Sequence, residues 1–133
     1  MTRDMIADPI SVDEVLAQLE FLPNRRPDSP SSEVGKAFSE LSSYRDGSIF
    51  VGHYAGNSCW ERHPAGDEIV YVLEGETTLF ILDQNEDVPH VLKAGQMLVV
   101  PQNTWHRFET KTEVKVLTVT PQPEEHSLER PVD

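Results

Sequence analysis

Short apolar segments alternate with turn sequences from about residue 38 to residue 121. The turns, such as HPAGD, LEGE, DQNED, KAGQ and PQNT, contain Gly, Pro, Asn and Asp, and RDGS predicts a tight turn before the first strand. The segments between them are rich in β-branched and aromatic residues, which favours strands. They are IFVGHY, SCWERH, EIVYVLEG, ETTLFILD, HVLKAG, QMLVVP, WHRFET and VKVLTVTP. Because no helical pattern separates them, the sequence predicts an all-β sandwich or barrel.

Several of these strands are apolar on both faces. In EIVYVLEG, Val70 and Val72 share a face with Glu68, while Ile69, Tyr71 and Leu73 occupy the other face. A strand that is buried on both sides needs cover on the outside of the barrel as well as on the inside. The N-terminal helix or a second subunit can provide it, and we predict a homodimer.

One helical pattern precedes the strands. Ser11 and Glu14 form a capping box at its start, and Pro23 ends it. Its apolar stripe consists of Val12, Val15, Leu16, Leu19 and Leu22. The Pro- and Ser-rich sequence that follows predicts a loop or arm. We therefore predict a helix and arm over residues 1–37, a barrel over 38–121 and a mobile tail over 122–133.

Composition excludes several classes of protein. The chain has 133 residues and a formal charge of −12, which argues against partners that need clustered Lys and Arg, namely nucleic acid and anionic membrane surfaces. The single cysteine, Cys59, excludes an internal disulfide and a Cys-rich zinc site. The N terminus lacks the basic start and apolar centre of a secretory signal, and no apolar run is long enough for a membrane span. A cytoplasmic location is the expectation.

Acidic residues and histidines lie at the edges of two predicted strands. In CWERHPAGDE, alternation places Glu61 and His63 on one face, and the turn PAGD brings Glu68 back beside His63. His106 opens a later strand after PQNTW. Two imidazoles and two carboxylates are thus predicted to meet inside one barrel. The alternatives are a solvated polar turn for residues 61–68 and a purely structural role for His106.

The spacing of these residues resembles the two signature motifs of the cupin superfamily. Residues Glu61-x-His63-x4-Glu68-x6-Gly75 resemble the first motif, and Gly95-x5-Pro101-x4-His106 resembles the second. The resemblance covers about residues 48–120. It implies a small, single-domain, RmlC-like cupin, whose double-stranded β-helix (jelly-roll) barrel holds a divalent metal ion by three histidines and one glutamate.

Three positions depart from the motifs. Glu61 stands where the first histidine belongs, Asn103 replaces a glycine, and the leading glycine is shifted by one residue if Gly56 is its counterpart. The implied metal ligands are therefore Glu61, His63, Glu68 and His106, with Mn, Fe, Ni or Zn as the ion. If Glu61 binds, two carboxylates favour a hard ion such as Mn(II) or Fe(II). If it does not, a set of two histidines and one carboxylate remains, and Glu61 can act as a general base.

Other residues are candidates for the substrate pocket. Phe108 shares the inward face with His106 and predicts an apolar wall. His53 lines the mouth of the barrel or lies on the surface, and Cys59 lies beside Glu61 or is a small buried hydrophobe. His90 and His126 are predicted to be solvated. No Arg or Lys is predicted on the inward face, which disfavours sugar nucleotides and favours a neutral or carboxylate-bearing small molecule.

Two functions from different classes fit this pattern. The first is a metal-dependent enzyme, such as a dioxygenase, lyase or isomerase, that acts on a small molecule. The second is a non-catalytic module that senses a small molecule or metal and acts through a protein partner. A metal-free barrel that only binds a ligand is a further alternative. Fold alone does not separate these functions.

Overall fold

The structure, a computed structural model, describes residues 7–132. Two short helices lie near the N terminus of this range, α1 (Val12–Ala17) and α2 (Ser31–Val34). The strands are β1 (Leu22–Arg25), β2 (Phe38–Tyr44), β3 (Gly47–Asn57), β4 (Trp60–Arg62), β5 (Glu68–Asp83), β6 (Glu86–Lys93), β7 (Met97–Val100), β8 (His106–Pro121) and β9 (Glu125–Ser127). The predicted all-β fold with a short N-terminal helix is confirmed. Residues 1–6 of the predicted arm and residue 133 of the predicted tail lie outside the described residues.

Strand β8 connects most of the barrel. It pairs antiparallel with β3 on one side and with β5 on the other, and its first residue, His106, also pairs with Glu61 of β4. β5 pairs in addition with β7 through its first half and with β6 through its second half. β1 and β2 both pair with β3, in parallel and antiparallel orientation respectively. The long strands β5 and β8 therefore bend across the barrel and contribute to both of its layers.

β5 continues through the sequence LEGE, which we predicted as a turn, and that prediction is wrong. Gly75 has φ +77, and the pairing with β8 shifts register around it. A Cβ at this position would lie 2.1 Å from the carbonyl oxygen of Glu113, so only glycine fits. The resulting bulge moves the buried face from even positions, such as Val72, to odd positions, such as Thr77 and Leu79.

The N-terminal segment is more regular than its sequence predicts. The Ser11 hydroxyl accepts a hydrogen bond from the backbone N–H of Glu14 at 3.3 Å, which confirms the predicted helix start. The helix ends already at Ala17, and Leu22 belongs to β1 rather than to the helical stripe. The segment predicted as a loop also holds α2, and β2, which our list of strands missed, forms a hairpin with β3.

Gly56 fixes the position of β1. Arg25 of β1 pairs with Gly56 of β3, which has φ +107. A Cβ on Gly56 would lie 2.2 Å from the carbonyl oxygen of Arg25 and 2.5 Å from its backbone nitrogen. The missing side chain therefore lets the two backbones approach, and this approach places the Arg25 side chain at the barrel cavity described below.

We expect Gly56→Ala to lower the free energy of unfolding by about 2–4 kcal/mol, because the strain of a positive φ and the overlap with β1 add. Gly95→Ala is the matched control, since Gly95 has φ +87 but no atom within 4 Å of an added Cβ. It should lose only the backbone contribution of about 1–2 kcal/mol. Urea denaturation of both variants measures the difference, and equal losses would contradict the close approach of β1.

The core lies between the two layers, and part of the outer surface is apolar. The buried cluster includes Tyr54, Val70, Val72, Leu79, Val114 and Val116. On the outside, Val91, Met97 and Val99 of β6 and β7 are about half exposed. Such side chains would suit a contact of the predicted homodimer, which stays a prediction. Within residues 7–132, neither helix has the length and apolar character that a membrane span requires.

The segment predicted as a mobile tail contributes a strand. Residues Glu125–Ser127 form β9, which pairs antiparallel with β4, and His126 lies opposite Glu61 in this pairing. Arg62 of β4 donates a hydrogen bond to Glu125 at 2.6 Å. The chain after residue 121 therefore returns to the edge of the sheet beside the candidate site.

Candidate metal centre

The four predicted ligand residues converge at the ends of three strands. Glu61 of β4 pairs with His106 of β8, so their side chains share one face. His63 directly follows β4, and Glu68 begins β5. Each of the four side chains offers one ligand atom, and these atoms all lie within 4.8 Å of one another.

Histidines and carboxylates alternate within this cluster. His106 Nε2 lies 3.1 Å from Glu68 Oε1 and 3.4 Å from Glu61 Oε1. His63 Nε2 lies 3.4 Å from Glu68 Oε2. The side chains of His63, Glu68 and His106 are at most 4% exposed, and that of Glu61 is 15% exposed. This burial argues against the alternative of a solvated turn.

A backbone carbonyl and hydroxyl groups outside the cluster orient two of its side chains. His106 Nδ1 lies 2.9 Å from the carbonyl oxygen of Thr104, and because a carbonyl only accepts, Nδ1 carries the proton and Nε2 faces the carboxylates. The Thr120 hydroxyl donates to Glu68 Oε2 at 2.7 Å and lies 2.9 Å from the hydroxyl of Thr118. A histidine whose second nitrogen is held in this way is pre-oriented as a metal ligand.

Hydrogen bonds connect the two loops next to these residues. The backbone N–H of Gln102 donates to Asp67 at 2.7 Å, and its side-chain amide donates to the carbonyl of Pro64 at 2.7 Å. Asn103 donates its backbone N–H to the carbonyl of His63 at 3.0 Å. Asn103 has φ +59, a conformation that asparagine tolerates better than most residues, which explains why it can replace the motif glycine.

The protons of the metal-free cluster are distributed unequally. Burial lowers the pKa of His106, but hydrogen bonds and charges of Glu61 and Glu68 outweigh this and raise it to about 10. Burial raises the pKa of Glu68, but His106 and His63 outweigh it and lower it to about 2. The pKa of Glu61 is also lowered, because the hydrogen bond with His106 outweighs burial. Without a metal, the cluster therefore holds a protonated His106 between ionised carboxylates.

The residues present fit a divalent ion. His63 is 2% exposed, and its Nε2 has only the 3.4 Å ion-pair contact with Glu68 Oε2; neither ring nitrogen makes a well-formed hydrogen bond among the described residues. Leaving a buried polar group unpaired costs about 1–3 kcal/mol, and a cation beside Nε2 would supply the partner. Ligand atoms of a tetrahedral, zinc-like ion lie roughly 3.3–3.6 Å apart, and the contacts of 3.1–3.4 Å between the histidines and carboxylates are close to this spacing. The His/Glu cluster can therefore hold a metal ion.

The cluster opens into a cavity of about 290 Å³. Glu61 and Glu68 form part of its polar lining. Its apolar walls are Val34, Phe38, Phe50, Tyr54, Phe108 and Val116. Phe108 thus lies where the sequence predicts, next to the ring of His106 at a centroid distance of 6.1 Å.

The other two pocket candidates lie elsewhere. His53 is not among the lining residues and instead contacts the carboxylate of Glu113 and the ring of Phe21. Its neighbours at even positions, Phe50 and Tyr54, face the cavity, so alternation along β3 turns His53 away. Cys59 is half-buried and also absent from the lining.

Three polar residues of the cavity were missed in the sequence. Arg25 lines it, so the prediction that no Arg or Lys lies near the ligands is wrong. Glu124 and His126 also line it, although His126, predicted to be solvated, is 54% exposed. His126 Nε2 lies 3.8 Å from Glu61 Oε2. These residues belong to β1 and the β9 segment, whose pairing partners no local sequence pattern reveals.

Comparison with known proteins identifies a related sequence. The protein YdbB of Bacillus subtilis, itself uncharacterised, is 34% identical over 67 residues, which are 50% of this chain and 57% of that protein. The chain thus spans little more than half of that relative's length.

Solved structures show the same fold. An uncharacterised conserved protein with a double-stranded β-helix domain from Klebsiella pneumoniae superposes with a TM-score of 0.64 at 18% identity, covering 92% of this chain and 98% of that one. A cupin-2 domain containing protein from Shewanella frigidimarina gives a TM-score of 0.56 at 26% identity, covering 65% and 80%. Residues 51–120, which hold all four ligand candidates, match the family model of the cupin domain. This chain belongs to the cupin family.

Proposed function

We propose that this protein is a metal-dependent enzyme that acts on a small neutral or carboxylate-bearing molecule, as a dioxygenase, lyase or isomerase. The observation that carries the proposal is the convergence of four ligand-capable side chains, two of which, Glu61 and Glu68, also line a cavity of about 290 Å³. Another of the four, His63, is buried and has only a loose contact of 3.4 Å with Glu68 in place of a well-formed hydrogen bond among the described residues. A pocket with convergent polar groups and perturbed pKa values is the usual form of an active site.

His63, Glu68 and His106 would hold the ion, with Glu61 as a fourth ligand or as a neighbouring base. Two imidazoles with one or two carboxylates suit Mn, Fe, Ni or Zn. When bound, such an ion supplies Lewis-acid polarisation or, if it is redox-active, one-electron chemistry. Thr120 and the carbonyl of Thr104 would keep Glu68 and His106 in place, because their hydrogen bonds leave Glu68 Oε1 and His106 Nε2 facing the cluster.

Glu61 is the residue best placed to accept a proton. Its pKa is lowered, so it is ionised at neutral pH, and it lines the cavity. Its Oε2 lies 3.8 Å from the partly exposed His126, so one bridging water would connect Glu61 to the surface. Burial raises the pKa of the adjacent Glu124, and the charge of Glu61 raises it further. The apolar walls would keep water away from the bound molecule.

Metal analysis and turnover of Glu61→Gln test this proposal. We expect wild-type protein to bind about one divalent ion per chain and to turn over at least one compound of a panel of small enols, keto acids and thiols. Glu61→Gln should keep the ion, because three ligands remain, but lose activity by about 10²–10⁴-fold, the usual contribution of a general base. Glu113→Gln, whose side chain pairs with His53 outside the cavity, is the control and should behave like wild type.

Two outcomes would contradict the proposal. A wild-type protein that binds no divalent ion at micromolar concentrations would remove its basis. A fully metal-loaded protein that stays inert across the whole panel would instead favour the non-catalytic alternative, a sensing module that acts through a protein partner.

A further inference from the structure

Arg25 lines the cavity together with Glu61, Glu68 and Glu124 and forms no salt bridge with any of them. It reaches the cavity from β1, and its guanidinium lies 4.7 Å from the ring centroid of Tyr54 and 5.1 Å from that of Phe38. Among residues 7–132, no carboxylate oxygen lies within salt-bridge distance of it. The two aromatic rings hold the guanidinium, and besides a hydrogen bond with Tyr54 its five N–H donors leave several for a ligand.

Other arginines of this acidic chain are used differently. Those that pair with a carboxylate are Arg26, Arg62, Arg107 and Arg130. Arg45 lacks such a pair but is exposed at the β2–β3 turn. Arg25 is half-buried in a chain of net charge −12 and forms no salt bridge among the described residues, so its charge is available to an anion that enters the cavity.

The surroundings of Arg25 define the rest of the ligand. The cavity that Arg25 shares with Glu61 and Glu68 is otherwise walled largely by aromatic and branched apolar side chains, among them Phe50, Phe108 and Val116. The cavity of about 290 Å³ corresponds to roughly ten water-sized groups. This volume suits one compact apolar group with an anionic end, and excludes a nucleotide.

We propose that Arg25 binds the carboxylate of the substrate, so that the ligand class is a small carboxylic acid with an aryl or branched-alkyl body. The acid group would be held at Arg25 while the opposite end of the molecule faces His63, Glu68 and His106. This inference rests on the proposed function and narrows it, because it selects the carboxylate-bearing over the neutral class and assigns the carboxylate to Arg25. A planar guanidinium favours the two parallel hydrogen bonds that a carboxylate accepts.

Charge in the cavity couples this site to the metal. Glu61 and Glu68 line the same cavity and repel an incoming anion. A divalent ion at the cluster offsets their charge, so carboxylate affinity rises when the metal is bound. Because such coupling is reciprocal, the carboxylate strengthens metal binding by the same factor.

Calorimetric titration with benzoate and benzamide tests the role of Arg25. Metal-loaded wild-type protein should bind benzoate at least tenfold more tightly than benzamide, which has the same shape but no charge. Arg25→Gln should weaken benzoate binding by about 10- to 100-fold, the usual effect of losing charge-assisted hydrogen bonds, and leave benzamide binding within threefold. Arg25→Lys, which keeps the charge but not the planar fork, should lie between the two and serves if the glutamine variant does not fold.

Arg26→Gln is the matched control, since it removes the same charge from the neighbouring exposed residue that pairs with Asp28. It should bind benzoate like wild type. Equal benzoate affinity in wild type and Arg25→Gln, or benzamide binding as tight as benzoate, would overturn the inference. If the protein binds no metal, the proposed function fails, but the same titration of metal-free protein still decides whether Arg25 holds the carboxylate.

Discussion

His106→Ala is expected to abolish stoichiometric metal binding and to lower the free energy of unfolding of the metal-free protein by about 3–5 kcal/mol. The variant removes a ligand that lies 3.1 Å from Glu68 and 3.4 Å from Glu61. It also leaves the ionised, 4% exposed Glu68 without its closest cationic partner. The loss in free energy of unfolding should fall nearer to about 3 than to about 5 kcal/mol, because His63 remains 3.4 Å from Glu68 and can take up a proton. Metal analysis after dialysis and urea denaturation measure the two effects.

Two further variants separate the cost of leaving the Glu68 charge unpaired from the cost of losing the packing of the His106 ring. Adding Glu68→Gln to His106→Ala should recover part of the stability but none of the metal binding, since the buried charge has gone and a second ligand with it. His53→Ala is the control, because His53 also pairs with a glutamate but lies outside the cavity. Because its partner Glu113 is 53% exposed, loss of this ion pair should cost less than about 1 kcal/mol, and any further loss reflects the packing of the His53 ring on Phe21. An undiminished metal content in His106→Ala would exclude His106 as a ligand.

The cluster itself could be predicted from the sequence because local rules suffice for it. Alternation puts Glu61 and His63 on one face, a short turn returns the chain to Glu68, and strand pairing then sets His106 opposite Glu61. These steps depend on period-two geometry and on turns whose residues are visible in the sequence. The order of the two family motifs then places His106 downstream of Glu61, His63 and Glu68 in the sequence.

The cavity beyond the cluster could not be predicted in this way. Arg25 and His126 reach it through the pairing of β1 with β3 and of β9 with β4, which join segments far apart in the chain. Short strands of three or four residues show too little periodicity to reveal a partner. The sequence LEGE was mispredicted as a turn for a related reason, since a glycine with positive φ occurs in a bulge as well as in a turn. Only the neighbouring backbone at Glu113 decides between them.

The stability of the metal-free protein should itself depend on pH. The pKa of His106 is raised from 6.5 to about 10, so its contribution to stability is complete below pH 6.5 and is lost as the pH rises through 10. The pKa of Glu68 is lowered from 4.5 to about 2, so its contribution is present above pH 4.5 and is lost as the pH falls through 2. For this pair, metal-free protein is therefore most stable between about pH 4.5 and 6.5.

Metal affinity should rise with pH above pH 6.5, whereas the contribution of His106 to stability falls. We expect the affinity to increase about tenfold per pH unit between pH 6.5 and 8.5, roughly 100-fold in all. The reason is that an ion binds only the neutral imidazole, whereas His106, with a pKa of about 10, is protonated throughout this range in the metal-free protein. Each binding event must therefore release a proton, and at the acid end His63, whose pKa is also raised, contributes a second one. Competition with a chromophoric chelator at three pH values measures the slope, and calorimetry in two buffers of different ionisation enthalpy counts the protons. An affinity that stays constant across the range would mean that the ion displaces no proton from His106, and the cluster would then not be its binding site.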